Sequence, residues 1–268
     1  MSNQLRKLRE LMKSDPDKVI SVAMDGFGVP PQTVANEAAQ VILNKGKDIS
    51  FADGIVATEW GRGKTVVLFH GWGAQRGRLT GFVEPLVDAG YRVVAVDARA
   101  HGDSAGDKTN AVDYSKMVLA VSKEISDLEA IIAHSMGAGA SVYALKLGMQ
   151  VDKLVLLAGA YNWEYQIKIY AKMMGFNQDL QESFYQYARN MINDSDDWGN
   201  VANFATDFKQ AALIFHDPED KTVPYQDSLE LARNWPNSKL VTLQGLGHSD
   251  LVTDPGVIKQ AVEFIQNN

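Results

Sequence analysis

The 268-residue chain contains no cysteine. That excludes disulfides, thiol catalysis and thiolate-bound zinc or iron–sulfur centres. It also lacks an excess of positive charge. Lys and Arg number 26 against 33 Asp and Glu, for a net charge of −7, so neither nucleic acid nor an anionic membrane is an expected partner. No run approaches the ~20 apolar residues of a membrane span. The first ten residues (Met-Ser-Asn-Gln-Leu-Arg-Lys-Leu-Arg-Glu) place charges where a secretion signal needs an apolar stretch. A soluble, cytoplasmic protein is therefore expected. Histidine is scarce, with five in all, and none lies in an HxxxH or carboxylate–histidine cluster, so neither a metal nor a cofactor is implied. The remaining composition, 46% hydrophobic and 22% charged, is that of a globular chain.

The hydrophobic pattern divides the chain. Apolar positions at three- and four-residue intervals predict amphipathic helices over 3–14 and 31–45, an N-terminal helical arm of residues 1–46. Short apolar runs follow at 49–51, 55–60 and 65–69. Ala52-Asp53-Gly54 and Gly61-Arg62-Gly63-Lys64 between them read as hairpin-type turns. From 65 onward strands and helices alternate: strands at 91–96, 130–133, 153–157, 211–215 and 240–243, and helices near 78–89, 111–129, 137–147, 225–234 and 255–266. Strand runs without polar alternation, separated by helices, predict an α/β fold with a mostly parallel sheet covered on both faces. Residues 47–160 and 209–268 make this core. Residues 161–208 interrupt it without strand pattern and carry nearly half of the chain's Trp, Tyr and Phe. They are expected to form a helical cap at the carboxyl ends of the strands, where ligands bind. Its rings either fasten the cap to the core or line a substrate pocket; Trp163, Tyr170, Met173, Met174 and Phe184 are the candidate lining residues.

The chemistry concentrates in Ala133-His134-Ser135-Met136-Gly137-Ala138-Gly139. A strand runs straight into Ser135 and a helix of small residues begins straight after it, which thrusts the hydroxyl above the sheet. A nucleophilic serine needs a base, and the base needs an orienting carboxylate. Among the histidines, His248 lies in the loop after a late strand, facing the same rim. His134 sits beside Ser135 and points away from its hydroxyl. Two carboxylates follow the preceding strand: Asp217, suited to forming the turn before Pro218, and Asp220, a few residues into the loop and preferred as the partner of His248. His70-Gly71-Trp72-Gly73 follows an early strand, and its glycines let backbone N–H groups approach a substrate oxygen. Trp72 and Met136 are the expected backbone donors to an oxyanion.

These segments, with Asp97-Ala98-Arg99-Ala100-His101-Gly102-Asp103-Ser104 and Val223-Pro224, resemble an α/β-hydrolase of the serine-esterase type over roughly 48–268. The resemblance implies Ser135, Asp220 and His248 as a catalytic triad, and a structural rather than catalytic role for His101. Ala133 stands where the family usually has glycine. The implied activity is hydrolysis of small-to-medium carboxylic esters, with a small-molecule ester as the substrate. Thioester, lactone or carbon–carbon-bond hydrolysis would use the same residues, as would perhydrolysis. A slow-turnover ligand sensor signalling through the cap or the arm is the alternative of another class. The serine at 135 departs from haloalkane dehalogenases and epoxide hydrolases, which carry aspartate there.

Overall fold

A computed structural model describes residues 10–12, 15–192 and 198–267. The helix expected over 3–14 lies outside the described residues apart from 10–12, which are helical. The chain continues through α1 (Pro16–Phe27), α2 (Glu37–Leu43), β1 (Lys47–Phe51), β2 (Ile55–Gly61), β3 (Thr65–Phe69), α3 (Val83–Asp88) and β4 (Arg92–Val96). Next come α4 (Ala111–Glu124), β5 (Leu128–His134), α5 (Met136–Lys146), β6 (Lys153–Leu157), α6 (Trp163–Met173) and α7 (Gln178–Ile192). The last elements are β7 (Ala211–His216), α8 (Tyr225–Asn234), β8 (Ser238–Thr242) and α9 (Pro255–Gln266).

The strands form one eight-stranded sheet in the order β1-β2-β4-β3-β5-β6-β7-β8. β3 to β8 are parallel to one another, while β2 pairs antiparallel with both β1 and β4. The turn at 52–54 joins a true hairpin, with positive φ at Asp53 and Gly54. The 61–64 turn corrects the sequence reading: β4 lies between β2 and β3, so this segment is a crossover and not a hairpin. Turn residues report the local chain reversal, whereas the strand next door comes from 30 residues later, which no local pattern records.

The apolar runs of the central strands follow from burial on both faces. Val67, Phe69, Val94, Ile131, Leu154 and Ile214 face a core shared with α1, α4 and α5. Val66, Leu68, Val93, Ile132, Val155 and Phe215 face a second core closed by α3 and α9. Asparagine or aspartate begins several helices by accepting a first-turn N–H: Asn110 for α4, Asn162 for α6 and Asp254 for α9, each at about the ordinary hydrogen-bond length.

Between β6 and β7 the inserted segment leaves the sheet and returns through a backbone neck. Glu164 N–H donates to Gly199 O at 2.9 Å and Val201 N–H to Tyr161 O at 2.9 Å. Phe27 at the end of α1 sits against Tyr170 and Phe184 of the insertion, at ring separations of 4.8 and 5.8 Å. α1 therefore joins the insertion to the first core. No helix among the described residues is long and apolar enough to cross a membrane.

Candidate active site

β5 delivers Ser135 and α5 leaves from it. The serine adopts φ 54° and ψ −119°, a conformation L-residues populate rarely and hold only when surroundings enforce it. Enforcement comes from the neighbouring connection. Ser135 N–H donates to Leu157 O at 2.9 Å, and Ser135 O accepts from Ala160 N–H at 3.1 Å. The turn also requires close contact with the loop after β3. A Cβ on Gly71 would lie 2.9 Å from the Ser135 Cβ, and one on Gly137 would lie 2.5 Å from His70 O. Ala133, in the place of the usual glycine, fits fully buried.

The side chains of Ser135, His248 and Asp220 meet. His248 Nδ1–H donates to Asp220 Oδ2 at 2.7 Å, and His248 Nε2 lies 3.0 Å from Ser135 Oγ. With Nδ1 committed to the carboxylate, the Nε2 lone pair faces the serine hydroxyl. The Asp220 side chain is fully buried and takes more than this one bond. Its Oδ1 accepts from the N–H groups of Thr222 (2.7 Å) and Val223 (2.9 Å), and Oδ2 lies 3.3 Å from His216 Nε2. Burial pushes the Asp220 pKa up, but the bonds from His216, His248 and Val223 outweigh it and hold the carboxyl well below the ordinary carboxylate range.

Asp217 does not touch His248. It accepts from Glu219 N–H at 2.9 Å, as a turn-former does, and its other oxygen accepts from Leu246 N–H (2.6 Å) and Gly247 N–H (2.9 Å). These donors outweigh burial and lower its pKa too. The loop carrying His248 is thus tied from several sides. His134 Nε2–H donates to His248 O at 2.9 Å, and Arg78 donates to Ser249 O at 2.8 Å. Four consecutive residues, 246 to 249, each have a peptide group held by a side chain from elsewhere. Sequence reasoning missed Arg78, which lies in no motif, and set His216 aside as a base because it closes a strand, without its contact to Asp220. It kept Asp217 as the less favoured acid and read it chiefly as a turn-former; the signal for its hold on the 246–247 peptides was its place at the end of β7, facing the next strand's loop.

The other histidines are buried and structural. His70 donates from Nδ1 to Gly71 O (2.7 Å) and accepts at Nε2 from Ala98 N–H (3.0 Å). His101 donates to Arg99 O and accepts from Gly73 N–H, both at 3.0 Å. Burial lowers the pKa of His70 and of His134 to about 3, with the neighbouring histidine adding to the effect in each, and burial lowers that of His101. Asp97, fully buried, anchors the 97–104 loop by an ion pair with Arg76 and by accepting Asp103 N–H at 2.9 Å.

Among the described residues the backbone N–H groups of Trp72 and Met136 donate to no protein acceptor. Both residues are half-buried, beside the half-buried Ser135. Of the five candidate pocket residues, Trp163 is buried against Tyr143 of α5 and donates to Ala160 O at 2.9 Å. Phe184 is buried among Phe27, Tyr170 and Phe176. Met174 packs against the same core, and Met173 is 72% exposed.

The Hydrolase_4 family model, described as serine aminopeptidase S33, matches residues 62–196. Among curated proteins, non-heme chloroperoxidase CPO-A1 of Kitasatospora aureofaciens is 34% identical over 85 residues, 30% of each chain. Protein ABHD12B of Homo sapiens is 30% identical over 225 residues, 75% of this chain and 60% of that one. The chain thus spans less than two thirds of the length of these two relatives. Among solved structures, the Pyrococcus furiosus esterase Pf2001 superposes with a TM-score of 0.68 at 23% identity, covering 89% of this chain and 98% of that one. With the family model matched over half of the chain and the eight-stranded sheet in place, the chain belongs to the Hydrolase_4 family of α/β-hydrolases.

Proposed function

We propose that the protein hydrolyses small-to-medium carboxylic esters through an acyl-enzyme on Ser135, with His248 as base and Asp220 as orienting acid. The reading rests on one observation, the 2.7 and 3.0 Å contacts that link carboxylate, imidazole and hydroxyl. As Ser135 Oγ attacks the ester carbonyl carbon, His248 Nε2 takes its proton. The carbonyl oxygen gains the negative charge and meets the N–H groups of Trp72 and Met136, the latter at the amino end of α5. His248 then protonates the departing alkoxide as the carbon–oxygen bond breaks. A water, deprotonated by the same nitrogen, attacks the acyl carbon and releases the carboxylic acid and free serine. Asp220, ionised throughout by its own bonds, stabilises the imidazolium in both halves. Buried rings of the insertion fill space against one another and against α1, which favours a short acyl group over a long chain.

The test is a p-nitrophenyl ester series on the full chain. Ser135→Ala is expected to lose at least about 10⁴-fold in kcat/KM and to lose labelling by a fluorophosphonate. Acyl chains of about two to six carbons should be preferred to twelve. Wild-type activity in Ser135→Ala would overturn the assignment, and an optimum at sixteen carbons would make the protein a lipase.

A further inference from the structure

The segment between α1 and α2 lies across the loops that flank the site. Pro31 rests on Gly73, where a Cβ would come 2.6 Å from the proline ring. Gln32 Nε2 donates to Ala100 O at 2.9 Å, and Thr33 Oγ1 donates to Gly73 O at 2.8 Å. Three consecutive residues thus bind both the 70–73 loop and the 97–104 loop. Residues 31–34 are all exposed, so burial is not what recruits them. What they contribute is a set of directed contacts.

Those contacts complete a clamp on Trp72. A peptide unit is planar, so fixing its carbonyl fixes its N–H. The Gly71 carbonyl is held by His70, which sets the direction of the Trp72 N–H. The next peptide is held through Gly73 N–H by His101, whose ring also lies edge-on to Trp72 at 5.3 Å. The third peptide is tied within the loop by Ala74 N–H, which donates to Gly71 O at 3.2 Å, and the Thr33 bond ties its carbonyl to a segment outside the loop. Gly73, with φ +69° and no Cβ, is the residue about which the loop rotates most easily. A rotation there would carry Trp72 with it.

We propose that Thr33 is a positioning residue: the strap Pro31–Thr33 from the N-terminal arm locks Gly73 and so holds the Trp72 N–H aimed at the oxyanion. This rests on the serine-esterase reading above and assigns the arm a part in catalysis. The hydroxyl does not touch substrate. Its effect should fall on the step in which charge develops, with binding little changed.

The test compares Thr33→Val, which keeps the shape and removes the donor, with Thr33→Ser, which keeps the donor, using p-nitrophenyl acetate and the full chain. Thr33→Val should lower kcat about 10-fold with KM within about twofold, since a slightly misplaced donor retains part of its effect. Thr33→Ser should recover to within about threefold of wild type. The pH–rate profile should stay in place, because the proton relay is untouched, and Tm should change by less than about 2 °C. Four results would overturn the proposal: a wild-type kcat in Thr33→Val, equal loss in Thr33→Ser, a raised KM at unchanged kcat, or a drop in Tm that accounts for the lost activity. Ser135→Ala assayed alongside separates the two levels. If it stays active, the esterase reading fails and the strap falls with it; if it is dead while Thr33→Val is fully active, only the strap is wrong.

Discussion

The two rims of the site are built by different means. On the nucleophile side, Gly71, His134 and Gly137 are buried, Gly137 against the backbone of Phe69 and His70 and Gly71 against the Ser135 side chain, with no room for an added methyl at either glycine. On the base side, Gly245 and Gly247 face open space and the loop is half-exposed. That loop is fixed by bonds from Asp217, His134 and Arg78. Close packing together with two backbone hydrogen bonds positions the serine, whereas side-chain contacts position the loop of the histidine. A nucleophile held at an unfavourable φ needs a rigid mould. A base that must shuttle a proton between two partners needs its loop registered, and registration by a few bonds suffices.

The strongest way to break this contrast is Gly137→Ala. Alanine is the better helix former by about 1 kcal/mol, so propensity alone would stabilise the variant. The new methyl, however, would meet backbone oxygens of His70 at 2.5 Å and Phe69 at 2.8 Å, and backbone cannot rotate away. Overpacking of this kind should cost about 3 kcal/mol in a urea titration. By displacing Ser135 from His248 it should also lower kcat/KM at least about 100-fold. A stable, active variant would mean that the nucleophile's turn is not moulded by the β3 loop.

How much of this was legible follows from the same contrast. The central strands were readable because both their faces are buried and their sequences are continuous apolar runs. β5 begins earlier than its apolar core suggests, at Leu128, because Glu129 sits within the strand. That glutamate is buried and paired with Lys64 and Lys153, partners distant in sequence that a local reading cannot supply. At the site, the residues around Ser135 were legible since a strand–serine–helix turn imposes small neighbours on either side. The contacts that register the base loop were not. Arg78 lies 171 residues from the carbonyl it holds, and a surface arginine has no sequence signature for that task. Thr33 is equally silent: the helical periodicity read over 31–45 takes it in, but the helix begins only at Glu37, behind its Asn36 cap, and the hydroxyl that reaches Gly73 sits in the irregular stretch before it.

Acid should separate the rims. His70 and His134, with pKa values lowered from 6.5 to about 3, stay neutral when folded but charge when unfolded. Their contribution is complete above pH 6.5 and is lost as pH falls toward 3. The carboxylates of the other rim, Asp217 and Asp220, are also depressed, but from 3.8, so their contribution is lost only below that pH. Asp227, buried and raised to about 6, acts in the opposite sense: it favours the fold below 3.8 and that contribution is lost as pH rises through 6. Stability should therefore decline from pH 6.5 to 4, at about 1.4 kcal/mol per pH unit for each uncompensated proton. Asp227→Asn should steepen the decline between pH 6 and 4. Urea midpoints measured at half-unit intervals would show it, and a flat profile down to pH 4 would contradict the neutral, buried state of the two histidines.

The smallest effect is expected at Gly247, and it sharpens the contrast most. Its φ of +54° is left-handed, yet no atom lies within 4 Å of where a Cβ would stand. Only backbone conformation, not space, selects glycine there. Asparagine tolerates the left-handed region and valine does not. Gly247→Asn should leave kcat within about twofold and stability within about 0.5 kcal/mol, whereas Gly247→Val should lose about 1–2 kcal/mol through strain at the same φ. The order Asn above Val, measured by urea midpoint and kcat together, tests whether the base loop is limited by torsion alone. If Asn and Val were equally damaging, a side chain at 247 would be colliding with something, and the base side would be moulded by shape like the nucleophile side.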